Sequence, residues 1–455
     1  MESHPIEKEI GIETYITRLN GIGGKLRTTI EDFIVEEISP QGEIIKSQSL
    51  NQIPPRHDLN LQNLNKATTY NLVLEKYNVE TFTAIQLLAN FLKIPYRNIG
   101  YAGLKDKRAI TTQQISISGA DPQMLQNFKV KGVYLNRIHP GKPIKLGFLN
   151  GNHFIIILRQ INESYSKVQP KIEEIKRQIL TFNVPNYYGP QRFGVIRPIS
   201  HRIGRALLLK DYELALKIYL TECFPQEKSE IREIRAILRD SWPNPDISFP
   251  KEYYYENKIV ENLKEYQPNF KKIFGKVFPF HYLLLFIHAY QSYIFNKLLS
   301  IRLNIAQIPL NEAIIGDYVS ILDQYSLPTK AIYEVNPSNQ NSLNKAISNG
   351  KAVVMFPLFG FDLDYSHHPL ADYIEKLIDE DEIDLSLFKF PNNHNIQIKV
   401  TYRPISFRPK NFTIDINDFS NASEDLYIKF IFSLNKGCYA TVLLREFMKT
   451  NPLNY

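Results

Sequence analysis

The spacing of apolar residues divides the chain into strand-rich ends and a helix-rich middle. Near the N-terminus, Leu26 to Ile38 contains the apolar run Phe33-Ile34-Val35, which predicts a strand, and Tyr70 to Glu75 (YNLVLE) predicts a second. Gln41 to Asn65 is polar, with prolines at 54 and 55, and reads as a loop. From Thr81 the apolar positions fall at Phe82, Ile85, Leu88, Ala89 and Leu92, one face of a helix that Thr81 can cap and Pro95 stops. Lys105 to Arg108 (KDKR) then lies in a loop before a strand at Gln114 to Ser118, and the β-branched run within Gly147 to Arg159 predicts a buried strand. A helix is expected at Lys171 to Leu180, and turn formers crowd Val184 to Arg197. The middle carries helical spacing at Ile203 to Leu220, Lys228 to Leu238 and His281 to about Arg302, with a proline-rich break at Pro243 to Pro250. Short strands follow at Gly316 to Leu322, Ala331 to Tyr333 and Ala352 to Phe356. Strand alternation returns at Asn395 to Tyr402 and Leu426 to Leu434, before a last helix at Thr441 to Lys449. The pattern predicts an α+β fold interrupted by an insertion.

Composition narrows the class without naming a function. With 455 residues, 44% hydrophobic and 22% charged, the chain is globular and long enough for two or three domains. Its net charge of +7 permits an anionic partner but does not demand one, because the field depends on clustering. Cys223 and Cys438 are the only cysteines, which excludes a disulfide framework and a cysteine-rich metal site. The most apolar stretch, His281 to Leu299, contains two His, Gln, Ser, Asn and Lys, so it reads as a core helix rather than a membrane span. The first residues carry acids and no apolar segment, and a cytosolic location is expected.

Candidate chemistry lies in three places. In GYAGLKDKRAITTQ (Gly100 to Gln113) one carboxylate, Asp106, sits among Lys105, Lys107 and Arg108, cations that favour its charged form. Such a group can act as nucleophile, base or metal ligand. Taken by itself, the segment reads first as an ordinary basic turn whose Asp caps a neighbouring element. Glu31-Asp32 beside Phe33 reads as a strand-entry turn, and Asp379 to Glu382 as a solvated acidic face. In NYYGPQRFG, Tyr187, Tyr188, Arg192 and Phe193 suit base stacking and phosphate contacts, or a tight turn whose aromatics pack inward. No phosphate-binding loop, dinucleotide fingerprint or zinc-protease motif is present, and His367-His368 has no third ligand at a recognisable spacing.

Taken together and in order, GYAGLKDKRAITTQ, GFLNGNHF, VPNYYGPQRFG and FSLNKGCYATVLLREF resemble the TruD family of pseudouridine synthases. EDFIVEEI and YQSYIFNKLLSIR add further similar blocks, so the resemblance runs from about residue 20 to about residue 450. It implies a pseudouridine synthase catalytic domain with a mixed, largely antiparallel sheet over 1–184 and 392–455, interrupted by an insertion over 185–391. It also implies that Asp106 is the catalytic nucleophile, that Arg27 pairs with it, and that Phe154 stacks on the target base with Asn152 close by. Lys105, Asn186, Gln191, Arg192 and Phe193 are further expected substrate contacts. Ile30 stands where the family usually has Pro, and Tyr188 where it tends to have Phe.

The implied reaction breaks the N1–C1′ bond of a uridine, turns the uracil and rejoins it through C5. It needs no cofactor and no metal, and the reacting base must leave its stack. The implied partner is tRNA, modified at position 13 by family analogy, with other sites and other structured RNAs left open. Two other readings stay open on sequence alone: a tRNA-binding or tRNA-folding protein without essential catalysis, and a different RNA enzyme such as a methyltransferase, for which no glycine-rich cofactor loop is apparent.

Overall fold

The alternating segments from the two ends of the chain meet in one sheet. A computed structural model describes residues 2–48, 59, 61, 68–390, 396–417 and 426–455. Most of the loop expected at 41–65 lies outside these residues, as does Asn395. The first half contributes β1 (Phe33–Ile38), β2 (Thr69–Tyr77), β3 (Ile99–Tyr101), β4 (Ile110–Ser118), β5 (Val133–Pro140) and β6 (Gly151–Leu158). The middle contributes β7 (Tyr318–Leu322), β8 (Pro328–Glu334), β9 (Ala352–Leu358) and β10 (Thr401–Pro404), and the end β11 (Lys410–Asn417) and β12 (Tyr427–Asn435). The larger sheet has eight strands in the order β11-β12-β6-β1-β4-β2-β5, with β3 beside β4. Only β1 and β4 run parallel; the other pairs are antiparallel. The fold is α+β, with a mixed and largely antiparallel sheet.

Register decides which side chains share a face, because partners across a ladder point the same way. Lys76 pairs with Thr111, Thr111 with Val35, Val35 with Phe154, and Phe154 with Phe432. The next row on the same face runs Leu74, Gln113, Glu37, Asn152, Leu434. Gly151 begins β6 because a Cβ there would stand 2.0 Å from the Leu434 carbonyl oxygen. At one side of this face the Thr81–Leu92 helix buries Ala84, Ile85, Leu88 and Leu92 on Leu72, Leu74, Ile115 and Ile117. At the other, the Tyr165–Phe182 and Ala440–Met448 helices cover Ile156, Leu158 and Phe430. Ala102 to Ala109 crosses between the two covers.

A second, antiparallel sheet orders β10-β9-β7-β8 around the 25-residue Phe280–Asn304 helix. Gly204 lets the Ser200–Leu208 helix cross this one closely, since a Cβ would meet the Phe286 carbonyl oxygen at 2.0 Å. No single helix among the described residues is long and apolar enough to cross a membrane.

Several expectations are corrected. Thr81 does not cap its helix; Glu80 stands at the cap position, and the Thr81 hydroxyl bonds Lys105 instead. That helix ends at Lys93, in a left-handed conformation, before Pro95 is reached. The expected helix at 203–220 is two, because Asp211 accepts from the Leu214 N–H at 2.8 Å and starts a new one at Tyr212. The strand expected at 395–402 is split: Ile396–Gln397 pairs with Lys389–Phe390, and β10 joins the second sheet. The second sheet therefore continues to Pro404, past the expected boundary at 391. Asp381 does not face solvent freely; it accepts from the Tyr290 hydroxyl at 2.6 Å and pairs with Arg205.

Candidate active site

Asp106 stands at the end of a loop that is fastened at nearly every residue. The Ala102 carbonyl accepts from the Gly147 N–H at 2.7 Å, and the Gly103 carbonyl from the Gln113 side chain at 3.0 Å. Lys105 donates its N–H to the Thr81 hydroxyl at 3.0 Å. Its ammonium lies 2.7 Å from Glu37, both side chains being buried, and Glu37 also accepts from the Gln114 N–H. Lys76, wholly buried, donates to the carbonyls of Val79 at 2.9 Å and Asp106 at 3.4 Å. Burial pushes its ammonium down to about 8, with Asp106 opposing that shift and Lys105 adding to it. These bonds fix the backbone and leave the Asp106 side chain 45% exposed, a carboxylate that an incoming group can reach.

Arg27 supplies the counter-charge. Its Nη2 lies 3.2 Å from Asp106 Oδ1, its guanidinium carbon 4.0 Å above the Phe33 ring, and Nη1 donates to the Tyr455 carbonyl at 3.4 Å. Burial lowers its proton affinity, the Asp106 carboxylate restores part of it, and Arg108 opposes. Its Nε is buried without a partner among the described residues. Phe33 in turn meets Phe154 edge-on at 6.4 Å, and Phe154 stacks on Phe432 at 5.3 Å. Asn152, two residues before Phe154 and on the same face, keeps its Oδ1 buried with no hydrogen-bond partner among the described residues. An unmet buried acceptor is costly, and here it stands ready for a donor from a ligand.

The structure thus brings Arg27, Asp106, Asn152 and Phe154 around one patch of the sheet. It treats the other expected contacts differently. Lys105 is used up in its pair with Glu37, so its ammonium faces inward. Phe193 is fully buried against His201, and Asn186 is held by Arg403 and by the Pro404 carbonyl. The inward-packed turn is the form this segment takes for Tyr187 and Phe193. Gln191 is exposed, and Arg192 is half-buried with its Nε 3.2 Å from the Ser292 hydroxyl. Sequence reasoning passed over Lys76, Glu37, Gln113 and Phe432, which hold the loop or the aromatic cluster. Among the described residues, no three His, Cys, Asp or Glu side chains group so as to share a metal ion.

Comparison with known proteins agrees over the whole length. The family model for tRNA pseudouridine synthase D matches residues 9–447. A chain from Methanococcoides burtonii named "Probable tRNA pseudouridine synthase D" is 32% identical, covering 98% of each chain. Its namesake from Pyrococcus furiosus is 34% identical, covering 97% of this chain and 99% of that one. A crystal structure of a TruD chain from Methanosarcina mazei matches with a TM-score of 0.80 at 30% identity, over 100% of both chains. The chain belongs to the TruD family and is an RNA pseudouridine synthase, an isomerase.

Proposed function

We propose that the chain converts one uridine of a tRNA to pseudouridine, with Asp106 as the nucleophile, and by family analogy at position 13. The observation that carries this reading is the Arg27–Asp106 pair at 3.2 Å, an exposed carboxylate on the loop that Lys105 fastens to Glu37, whose neighbour across the sheet, Asn152, has an unpartnered Oδ1. Asp106 attacks the extruded nucleotide at C6 of the uracil or at C1′ of the ribose. The N1–C1′ bond breaks, the uracil turns, and a C5–C1′ bond forms. The bond to Asp106 is released, either as C5 displaces it from C1′ or by elimination from C6. C5 loses its proton to solvent and N1 ends protonated, so that the free carboxylate returns. Arg27 keeps the carboxylate oriented and charged through this sequence. Asn152 Oδ1 accepts from the uracil N3–H, which satisfies both groups at once. Phe154 offers only a narrow exposed margin, with Phe432 stacked on it and Phe33 meeting it edge-on, so the base meets it at that margin.

Gln191 and Arg192 belong to the RNA-facing surface, and the segment from 185 onward approaches the RNA from the side opposite the sheet. The test is a pseudouridine map of tRNA from cells with and without this protein. Loss of one tRNA pseudouridine is the expected outcome. An unchanged tRNA map with losses in another RNA would overturn the substrate, and no change anywhere would favour a binding role.

A further inference from the structure

A cavity of about 870 Å³ opens between the two sheets, outside the Asp106 site. Its walls come from β7, β8, β9 and β10 on one side and from the start of β11 and the end of β12 on the other. Five cations line it, Lys330, Arg403, Arg408, Lys410 and Lys436, and no Asp or Glu does. In a chain with 54 basic and 47 acidic residues, that one-sided lining marks a site for an anion. Lys330 and Arg408 are exposed, and their side chains have no ion-pair or hydrogen-bond partner among the described residues. Arg403, Lys410 and Lys436 are committed to carbonyl groups and hold the walls in place. The floor is apolar, with Leu322, Ile332, Ile347 and Met355, and Tyr402 and Phe407 add rings. An occupant that is anionic at one end and flat and apolar at the other fits this lining, and the volume lies in the range of ligand pockets.

The cavity is joined to the active site. Lys436 donates to the Gly147 carbonyl at 2.9 Å, and the Gly147 N–H donates to Ala102 in the Asp106 loop. Asn435 lies opposite Gly151, three residues and about 10 Å along β12 from Phe432. We propose that this cavity takes a second unstacked nucleotide of the RNA, one that flanks the target uridine, so that the enzyme reads sequence context at a place remote from its nucleophile. The inference rests on the RNA-modifying function proposed above. Lys330 and Arg408 meet the phosphates, and the base lies on the apolar floor against Tyr402 or Phe407.

The test uses the full chain and a tRNA that it binds, with an abasic residue placed in turn at each position flanking the target. In the wild type, one flanking abasic position is expected to raise Kd about tenfold. Thr401→Trp places a ring across the mouth from an exposed position. This variant is expected to bind intact RNA as weakly as the wild type binds that abasic RNA, with no further loss when the two are combined. Lys330→Ala with Arg408→Ala is expected to weaken both RNAs and to lower the salt dependence. The proposal is overturned if no flanking abasic position changes Kd, or if Thr401→Trp keeps the full penalty. Competition by a free nucleoside monophosphate, blocked by Thr401→Trp while RNA affinity stays unchanged, would assign a free nucleotide instead. Because the readout is binding, failure of the catalytic reading is separate: it would show as RNA bound without release of C5 tritium.

Discussion

Arg27 reaches Asp106 from a left-handed backbone, φ 55°, which costs a non-glycine residue about 1–3 kcal/mol. The strain is offset by the Phe33 ring beneath the guanidinium and by the carboxylate in front of it. Lys76 carries the more direct pH signature. Its ammonium titrates at about 8 in the fold against an ordinary 10.5. Below pH 8 both folded and unfolded chains hold the proton, so burial of the charge opposes folding in full. Between 8 and 10.5 the unfolded chain binds more protons than the folded one, and stability rises; above 10.5 the penalty is gone. The stability of the wild type relative to Lys76→Met, from urea unfolding, is expected to rise by about 3 kcal/mol over that interval. A gap that stays constant with pH would contradict this account of Lys76. The sequence did carry a sign of these residues. Lys76 continues the inward phase of Tyr70, Leu72 and Leu74, and Glu37 that of Phe33 and Val35. A charge at an inward position of an alternating run is what a polar site built on a sheet face looks like in one dimension. Glu37 and Lys105 lie 68 positions apart, however, and no spacing rule foretells that they meet.

At the level of elements, the Lys105–Glu37 pair is the rivet between the Asp106 loop and β1. Removing one partner leaves a buried, unpaired charge, so Lys105→Met is expected to cost about 3–5 kcal/mol in urea unfolding. Adding Glu37→Leu to it is expected to recover much of that loss. A Lys105→Met chain as stable as the wild type would show that the pair does not hold the loop. The strand β12 was legible from its alternation, β1 and β6 from apolar and β-branched runs, β2 from its apolar residues, and the long core helix from its apolar length. The failures have local causes. The 395–402 run alternates, yet its two halves are claimed by different neighbours, Lys389–Phe390 and β9. The Phe270–Val277 helix was passed over although Phe270, Ile273, Phe274 and Val277 fall at helical spacing, and in Tyr254–Tyr266 the buried face is short, Ile259, Val260 and Leu263 with Glu256 among them. The strand β11 alternates between half-buried and exposed positions only, as an edge strand does, so its period carries little contrast.

For the whole molecule, the net charge of +7 says less than where its cations lie. The five-cation lining between the two sheets and the basic Asp106 loop are joined through Lys436 and Gly147, so one RNA strand can run along both. Binding is therefore expected to weaken steeply with salt, by powers of ten between about 50 and 200 mM. Salt-insensitive binding would contradict that path. Motif order made the family legible from sequence, and the structure adds what order cannot: a carboxylate left exposed while its backbone is pinned, an unmet acceptor at Asn152, and an Arg27 strained into place. The central claim is that this carboxylate does the chemistry. The measurement that tests it most directly is tritium release from C5-tritiated uridine in unmodified tRNA, with binding followed in parallel, for the wild type and Asp106→Asn. The account predicts release by the wild type alone, with Asp106→Asn binding the RNA at least as tightly. Release by both proteins at comparable rates would contradict it.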